Sequence, residues 1–304
     1  MHHIVEKKLW YFIISLVIII PGIISLFLFG LNRSIDFTGG TRVQLLFPKT
    51  ITSQMKSDVF GVFQAEKLPT PQLQVSGKQL FIKTAPLNEE QSKKLFTNVE
   101  KKVGSFKQEE FATVGPTVGK EITLNALKAV VISALLIVLY IAYSFRSVPK
   151  PTSSWKFGVC TIFALLHDVL LLLGVFSLLG HFFHVEIDSL FVTAVLTVIG
   201  FSVHDTIVVF DRIRENLKKV SGVAFEKVVN DSILQTFGRS LNTSITALLV
   251  LLTLLIFGGD SIRWFIVALF IGIASGTYSS IFNAAPLLVL WEEIDAKRKK
   301  RANK

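Results

Sequence analysis

Six apolar runs, each about long enough to cross a bilayer, constrain this chain more than any other feature. They span Leu9–Leu31, Ala129–Phe145, Phe157–Gly180, Ile187–Phe210, Leu241–Phe257 and Trp264–Trp291. At about 1.5 Å of rise per residue, roughly 20 residues cross a hydrocarbon core of about 30 Å. The second and fifth runs sit at the short end, which predicts helices extending about a turn past these limits. The first is too long for a signal-peptide core and has no A-x-A cleavage site, so it reads as a retained anchor. With 51% hydrophobic and 18% charged residues, the 304-residue chain is neither an ordinary soluble globule nor disordered.

Lysine and arginine set the orientation. The Ser147–Lys156 loop with adjacent Arg146 carries three, Arg146, Lys150 and Lys156, and no acid. The stretch Asp211–Ser240 carries six, and the tail another six from Lys297 to Lys304. The intervening loops are poor: His181–Glu186 has none and Gly258–Arg263 one. The alternation predicts cytoplasmic termini. The long Asn32–Thr123 segment then lies outside, and its many lysines are no objection because long loops escape the charge rule. The expected organisation is an N-terminus and first span over 1–31 and an external domain over 32–123. A helical bundle over 124–291, with a cytoplasmic loop at 211–240, and a basic tail over 292–304 complete it. The net charge of +10 follows this pattern, with basic residues outside the long loop gathered at span ends, and does not form a nucleic-acid footprint.

The external segment has the pattern of a folded domain. Thr41–Phe47 alternates as a strand, and Ser53–Glu66 carries a helical stripe of Met55, Val59, Val62 and Phe63. Leu73–Val75 and Leu80–Lys83 flank Ser76-Gly77-Lys78, a hairpin signal. Asn88 is the expected N-cap of a second helix with Leu95, Val99 and Val103 on one face, and Phe106–Val114 supplies the last strand. The order β-α-β-β-α-β predicts a ferredoxin-like unit. The fold class is therefore an α-helical polytopic membrane protein, with six transmembrane helices and one α+β ferredoxin-like domain between the first two. Lacking His and Cys, the domain suits binding or leverage rather than chemistry.

The stretch Gly200–Asn216, GFSVHDTIVVFDRIREN, places Asp205 inside the fourth run and closes it with Asp211, Arg212, Arg214 and Glu215. A carboxylate at the centre of a membrane helix costs about 2.5–3.5 kcal/mol on insertion scales, and such groups commonly serve ion or proton movement. Asp205 is expected somewhat toward the cytoplasmic side of mid-depth. Asp168, in the third run, lies closer to the midplane and is a rival on depth alone. The competing reading for each is a static hydrogen bond between helices. His167 and His204 are relay candidates by residue type, since histidine as a class titrates near neutrality, but helical geometry points each away from its neighbouring Asp, and a structural or interfacial histidine competes with a relay. Asp211, Arg212 and Arg214 read as a stop signal with a salt-bridged cap, or else as a gate contact with the following loop. In that loop, Val220–Leu234 has the spacing of an amphipathic surface helix. Gly272 and Gly276 form a G-x-x-x-G pair for close helix packing. The single cysteine, Cys160, reads as a small core hydrophobe, and no metal or cofactor site is expected.

Six segments together resemble one family. They are Asp36-Phe37-Thr38-Gly39-Gly40-Thr41, Val114-Gly115-Pro116-Thr117-Val118-Gly119, His167-Asp168, the Gly200–Asn216 stretch, Arg239-Ser240-Leu241-Asn242-Thr243-Ser244, and Gly276-Thr277-Tyr278-Ser279-Ser280-Ile281-Phe282. In this order, over nearly the whole chain, they are similar to the SecF branch of the SecD/SecF protein-export family, in the resistance-nodulation-division superfamily. The resemblance implies half of a pseudo-symmetric twelve-span body, with SecD supplying the other half. It implies use of the proton gradient to assist Sec-dependent translocation at a late stage. The implied partners are SecD, the SecYEG translocon, YajC-like and insertase subunits, unfolded secretory protein and lipid, with no nucleic acid. The resemblance also implies Arg239 as the moving partner of Asp205. A nearby cation favours the charged carboxylate and burial the neutral one, so a changing separation switches protonation. The turn at Asp36, Gly39 and Gly40 is expected to anchor the domain. One departure is His204, where the family usually carries Asn.

Two other classes compete. A proton-coupled small-molecule exporter of the same superfamily is expected to carry larger external domains and all twelve spans in one chain. An intramembrane enzyme is disfavoured because H-E-x-x-H, G-x-S-x-G and a nucleotide-binding loop are missing.

Overall fold

The structure, a computed structural model, describes residues 4–149, 151–220 and 222–302. Lys150 and Lys304, which entered the orientation argument, lie outside them. In chain order, a 3₁₀ turn at Val5–Lys7 leads into α1 (Lys8–Leu28), and a short α2 (Ile35–Thr38) precedes β1 (Gly40–Leu46). Then come α3 (Ser53–Ala65), β2 (Gln72–Ser76), β3 (Gln79–Thr84), α4 (Glu89–Val103) and β4 (Lys107–Val114). Five long helices complete the chain: α5 (Pro116–Ser144), α6 (Ser154–Phe183), α7 (Ser189–Lys219), α8 (Phe225–Phe257) and α9 (Arg263–Ser279) followed, across a π-helical turn at Ser280–Ala284, by α10 (Ala285–Ala302). Six helices among the described residues are long and apolar enough to cross a membrane, with α9, the π turn and α10 forming the sixth.

Arg33–Leu127 is one compact unit. Its four strands pair antiparallel in the order β2-β3-β1-β4, which is the expected ferredoxin-like arrangement. Burial alternates along β1 and β3, so Val43, Leu45, Leu80 and Ile82 line one face. Val59, Val62 and Phe63 of α3, with Leu95 and Val99 of α4, complete that core. The opposite face is polar: Arg42 pairs with Glu110, while Gln44 and Gln79 donate to Glu109 at 2.7 and 3.1 Å. Asn88 caps α4 through a reciprocal capping box with Gln91, as its sequence position predicts. Gly39 and Gly40 adopt φ of 71° and 136°, conformations that favour glycine. A Cβ on Gly39 would lie 2.9 Å from the Pro116 Cα, and one on Gly119 would lie 2.9 Å from the Gly39 nitrogen. The Asp36–Thr41 and Val114–Gly119 motifs are thus one packed structure, and their glycines are what permits the approach.

The remaining helices form the second unit. Here α1 crosses α6 at glycine on glycine, since a Cβ on Gly22 would meet the Gly174 Cα at 2.8 Å. Ser25 and Ser177 share a hydrogen bond of 2.8 Å beside the crossing, and Ser177 donates to the Gly30 carbonyl at 2.7 Å. This is small-residue packing with hydroxyl glue, suited to lipid, where apolar burial between helices gives little drive. Buried Phe145, Phe157 and Phe210 cluster with ring centroids 4.8–6.2 Å apart, Phe145 stacked on Phe157 and Phe210 edge-on to both. Ionic contacts tie helix ends together: Lys8 to Glu293 at 2.5 Å, and Lys156 to Glu292 and Asp295 at 2.7 and 2.6 Å.

The separate surface helix expected over Val220–Leu234 does not form. Instead α8 starts at Phe225 and runs unbroken to Phe257. Val228, Val229 and Ile233 are buried, so their spacing reports bundle packing rather than a lipid-facing stripe. Replacing Gly174 by Val is expected to destabilise the detergent-solubilised protein by about 1–3 kcal/mol through overpacking. Thermal unfolding of the variant beside the wild type checks this.

Candidate functional site

Hydroxyl side chains facing inward from α7, α8 and α9 build a polar layer inside this apolar bundle. Its first centre is Asp168 of α6, only 1% exposed. Its Oδ2 accepts from Ser202 of α7 at 2.5 Å and from Ser279 of α9 at 2.7 Å. Its Oδ1 accepts from Ser275 of α9 at 2.6 Å and lies 3.0 Å from the His167 Nδ1, so His167 does not point away from its neighbour as helical geometry predicts: its side chain folds back along α6 to the carboxylate. The carboxylate therefore pins three helices at one point.

The second centre is Asp205 of α7, 2% exposed. Ser244 of α8 and Thr277 of α9 lie 3.4 and 3.3 Å from its Oδ2, and these two hydroxyls share a 2.5 Å hydrogen bond. The longer contacts hold Asp205 more loosely than Asp168. The centres are neighbours through α7, where Ser202 sits one helical turn before Asp205 and donates to Asp168. They also meet in α9: Ser275 and Ser279, four residues apart, share the face toward Asp168, and Thr277 between them serves Asp205. Ser280, at the start of the π turn, bonds Thr206 at 2.8 Å and donates to the Ser202 carbonyl at 3.1 Å. Single π turns recur at functional sites.

The glycines of α9 set this spacing. A Cβ on Gly272 would overlap Val198, 2.1 Å from its Cγ2, and one on Gly276 would lie 2.9 Å from the Ser202 Cβ. The G-x-x-x-G pair therefore packs α9 on α7 and seats Ser202 against Asp168.

The structure does not bring the other predicted residues into this layer. The Arg239 side chain is exposed, and no hydrogen bond or ion pair joins it to Asp205 among the described residues. His204 is exposed on the outer side of α7, on a different face from Asp205. Further along α7, Arg214 pairs with Asp211 at 2.5 Å and donates to the Ser144 carbonyl at 3.0 Å. Arg212 donates to Gln235 of α8 at 2.5 Å and to Glu215 at 2.6 Å. These residues brace α7 against α8 and the end of α5. Asp36, Gly39 and Gly40 belong to the other unit. Among the described residues no group of three His, Cys, Asp or Glu side chains has metal-binding geometry.

Sequence reasoning found both carboxylates but not their donors. Ser202, Ser244, Thr277 and Ser279 lie inside the segments that carry the resemblance and Ser275 directly before one, none with an assigned role. The available signal is the polar cluster Ser275, Thr277, Ser279, Ser280 and Asn283 within a span that is apolar before it.

Fold and site together define a polytopic membrane protein with an inserted ferredoxin-like domain and a buried pair of carboxylates. The family model described as protein export membrane protein SecD/SecF, C-terminal, matches residues 91–294, and the SecD/SecF GG motif matches residues 24–48. The protein translocase subunit SecF of Thermobaculum terrenum is 46% identical, covering 96% of this chain and 94% of that protein. The protein translocase subunit SecDF of Bacillus subtilis is 36% identical over 96% of this chain but only 38% of its own length. A crystal structure of SecDF from Thermus thermophilus, a translocon-associated membrane protein, superposes with a TM-score of 0.82 at 33% identity, covering 95% of this chain and 38% of that one. The chain belongs to the SecD/SecF family of protein-export membrane proteins.

Replacing Ser279 by Ala is expected to cost about 1–2 kcal/mol, the scale of an interhelical hydrogen bond in a membrane. Thr277→Val also removes the 2.5 Å bond to Ser244, yet is expected to cost less, because Ser244 keeps Asp205 and the Ser240 carbonyl as partners. Denaturation of the two variants in detergent checks the order.

Proposed function

We propose that this chain is the SecF-type half of a membrane assembly that uses the proton-motive force to assist Sec-dependent protein translocation at a late stage. The observation carrying this reading is the hydroxyl-lined layer holding Asp168 and Asp205. Buried intramembrane carboxylates are costly, and two in one polar layer fit proton transfer. In this reading the two aspartates take and release protons, and Arg239 is the moving partner whose distance biases the charge of Asp205.

The exposed Arg239 supports a companion half. A guanidinium on the outer surface of a membrane helix needs a counter-charge or an aqueous path. Asn242 and Thr246 continue its face of α8 and are exposed too, as are Thr193, Thr197 and His204 on α7. A SecD subunit covering these faces would supply the counter-charge. The fused SecDF relatives, in which this chain matches little more than a third of the length, fit that arrangement. His204 would then face the companion, which accommodates its departure from the usual Asn.

In this reading both termini lie in the cytoplasm and the ferredoxin-like domain outside, which the positive-inside pattern supports, and the bundle lies in the inner membrane. The further partners are the SecYEG translocon, YajC-like and insertase subunits, unfolded secretory protein and membrane lipid. The role is mechanical rather than enzymatic, with no cofactor.

Asp205→Asn is expected to reduce proton-gradient-dependent export of a secretory protein to the level without this subunit, while copurification with a SecD-like companion persists. Undiminished gradient-dependent export in that variant sinks the reading.

A further inference from the structure

We propose that the pocket between α1, α6 and α9 binds an acyl chain of a bilayer lipid, and that the bound chain forms a dry wall beside Asp168. The site lies outside the polar layer and does not depend on that layer moving protons.

The pocket has a volume of about 310 Å³. Ile18 of α1, Leu171 of α6, and Phe270, Ile271 and Ala274 of α9 give it an apolar lining. Ile18 and Ala274 are exposed, so the pocket opens at the surface of the bundle. That surface is turned away from α7. Gly272 and Gly276 present one side of α9 to α7, and Ala274, midway between them, lies on the opposite side.

The polar groups in the wall are already engaged. Ser15 and Asn283 exchange hydrogen bonds of 3.1 and 2.8 Å, and the Tyr278 hydroxyl donates to the Tyr11 carbonyl at 2.9 Å. Ser275 donates to Asp168, and the His167 Nδ1 lies against the same carboxylate. The His167 Nε2 is buried and offers no surface to an occupant. An occupant therefore meets hydrocarbon and finds no free donor or acceptor. Apolar cavities of about 150 Å³ stay dry and take benzene. This pocket is roughly twice as large, which suits a stretch of chain rather than a single ring.

Depth selects the tail of a lipid over its headgroup. The lining comes from well inside three spanning helices, Val5–Leu28, Ser154–Phe183 and Asp260–Arg301. At that depth the surrounding medium is acyl chain. A chain in the pocket touches protein on several sides, whereas one beside exposed Leu135 and Leu139 of α5 touches it on one. His167 and Ser275 both line the pocket and both contact Asp168, so one side chain separates the bound hydrocarbon from the carboxylate. Keeping water from that side holds these contacts in a low dielectric, where hydrogen bonds are stronger.

The test uses the full chain with its SecD-like companion in nanodiscs of phosphatidylethanolamine and phosphatidylglycerol. A trace of phospholipid carries a photoactivatable diazirine at the middle of one acyl chain, and labelled residues are read by mass spectrometry. Leu171 is expected to be labelled, and a diazirine on the headgroup is expected to leave it unlabelled. Ala274→Phe, which fills the pocket, is expected to lose the Leu171 label while Leu135 and Leu139 keep theirs. A Leu171 label that survives Ala274→Phe marks ordinary boundary lipid and overturns the site. So does labelling by the headgroup probe. A label found in the isolated chain but missing from the complex shows that the companion fills the pocket, which also overturns it. Should Ala274→Phe fail to accumulate, Ala274→Leu makes the same comparison. For the dry wall, Leu171→Cys in a Cys160→Ala background is expected to resist a water-soluble maleimide in these nanodiscs. Reaction there shows that water enters and defeats the wall.

Discussion

The hydrogen bonds that converge on Asp168 are the interaction on which the bundle depends. Between lipid-embedded helices the hydrophobic effect gives little preference for one packing over another, so small residues and polar contacts decide the arrangement. Here one carboxylate collects donors from α6, α7 and α9 within 2.5–3.0 Å. The glycines follow from the same requirement. Gly276 seats α9 close enough to α7 for Ser202 to reach Asp168, and Gly22 with Gly174 brings α1 against the outside of α6. Packing and polar satisfaction are therefore one constraint in this unit, because a larger residue at 276 would displace a donor.

The two carboxylates differ in how firmly they are held. Asp168 has short contacts to both oxygens, whereas Ser244 and Thr277 approach Asp205 at one oxygen only, at 3.4 and 3.3 Å. The hydroxyls that serve Asp205 also bond each other at 2.5 Å, so they have an alternative partner when the carboxylate changes state. The serines around Asp168 are held more tightly, since Ser202, Ser275 and Ser279 each donate to it within 2.7 Å. Asp205 is thus suited to moving relative to its surroundings and Asp168 to transmitting a change of charge into helix position.

Local patterns made the fold legible. Alternation in Thr41–Phe47, the Asn88 cap and the hairpin at Gly77 are signals carried by a few adjacent residues, and the sheet order followed from element order. The two aspartates were legible for a similar reason, since a charge inside an apolar run is conspicuous without any tertiary information. Their donors were not, because a serine in a membrane helix looks the same whether it bonds its own backbone or a carboxylate on another helix. Thr246 does the former and Ser279 reaches Asp168. The apolar spacing of Val228, Val229 and Ile233 was visible, but its destination was not: amphipathic periodicity records that a face is covered and says nothing of whether lipid or protein covers it. Arg239 shows the converse limit. Its pairing with Asp205 came from resemblance alone, and in the single chain its side chain points outward.

That outward arginine, set beside the inward aspartates, bears on how the proposed proton cycle gains leverage. One charge crossing 100 mV is worth about 2.3 kcal/mol. Inverting a 1:99 conformational preference takes about 5.5 kcal/mol. A single proton moved by that voltage alone falls short, and two come close. A layer with two carboxylates joined through Ser202 and α9 meets this requirement, because both changes of charge act on the same helix. Ser275 and Ser279 deliver the state of Asp168 to one side of α9 and Thr277 that of Asp205 to another. The π turn follows directly after Ser279, where an extra residue in the helical turn loosens the backbone ladder between α9 and α10. On the proton reading, α9 is the element whose position both protonation events bias, and its glycine face against α7 is the surface along which it shifts.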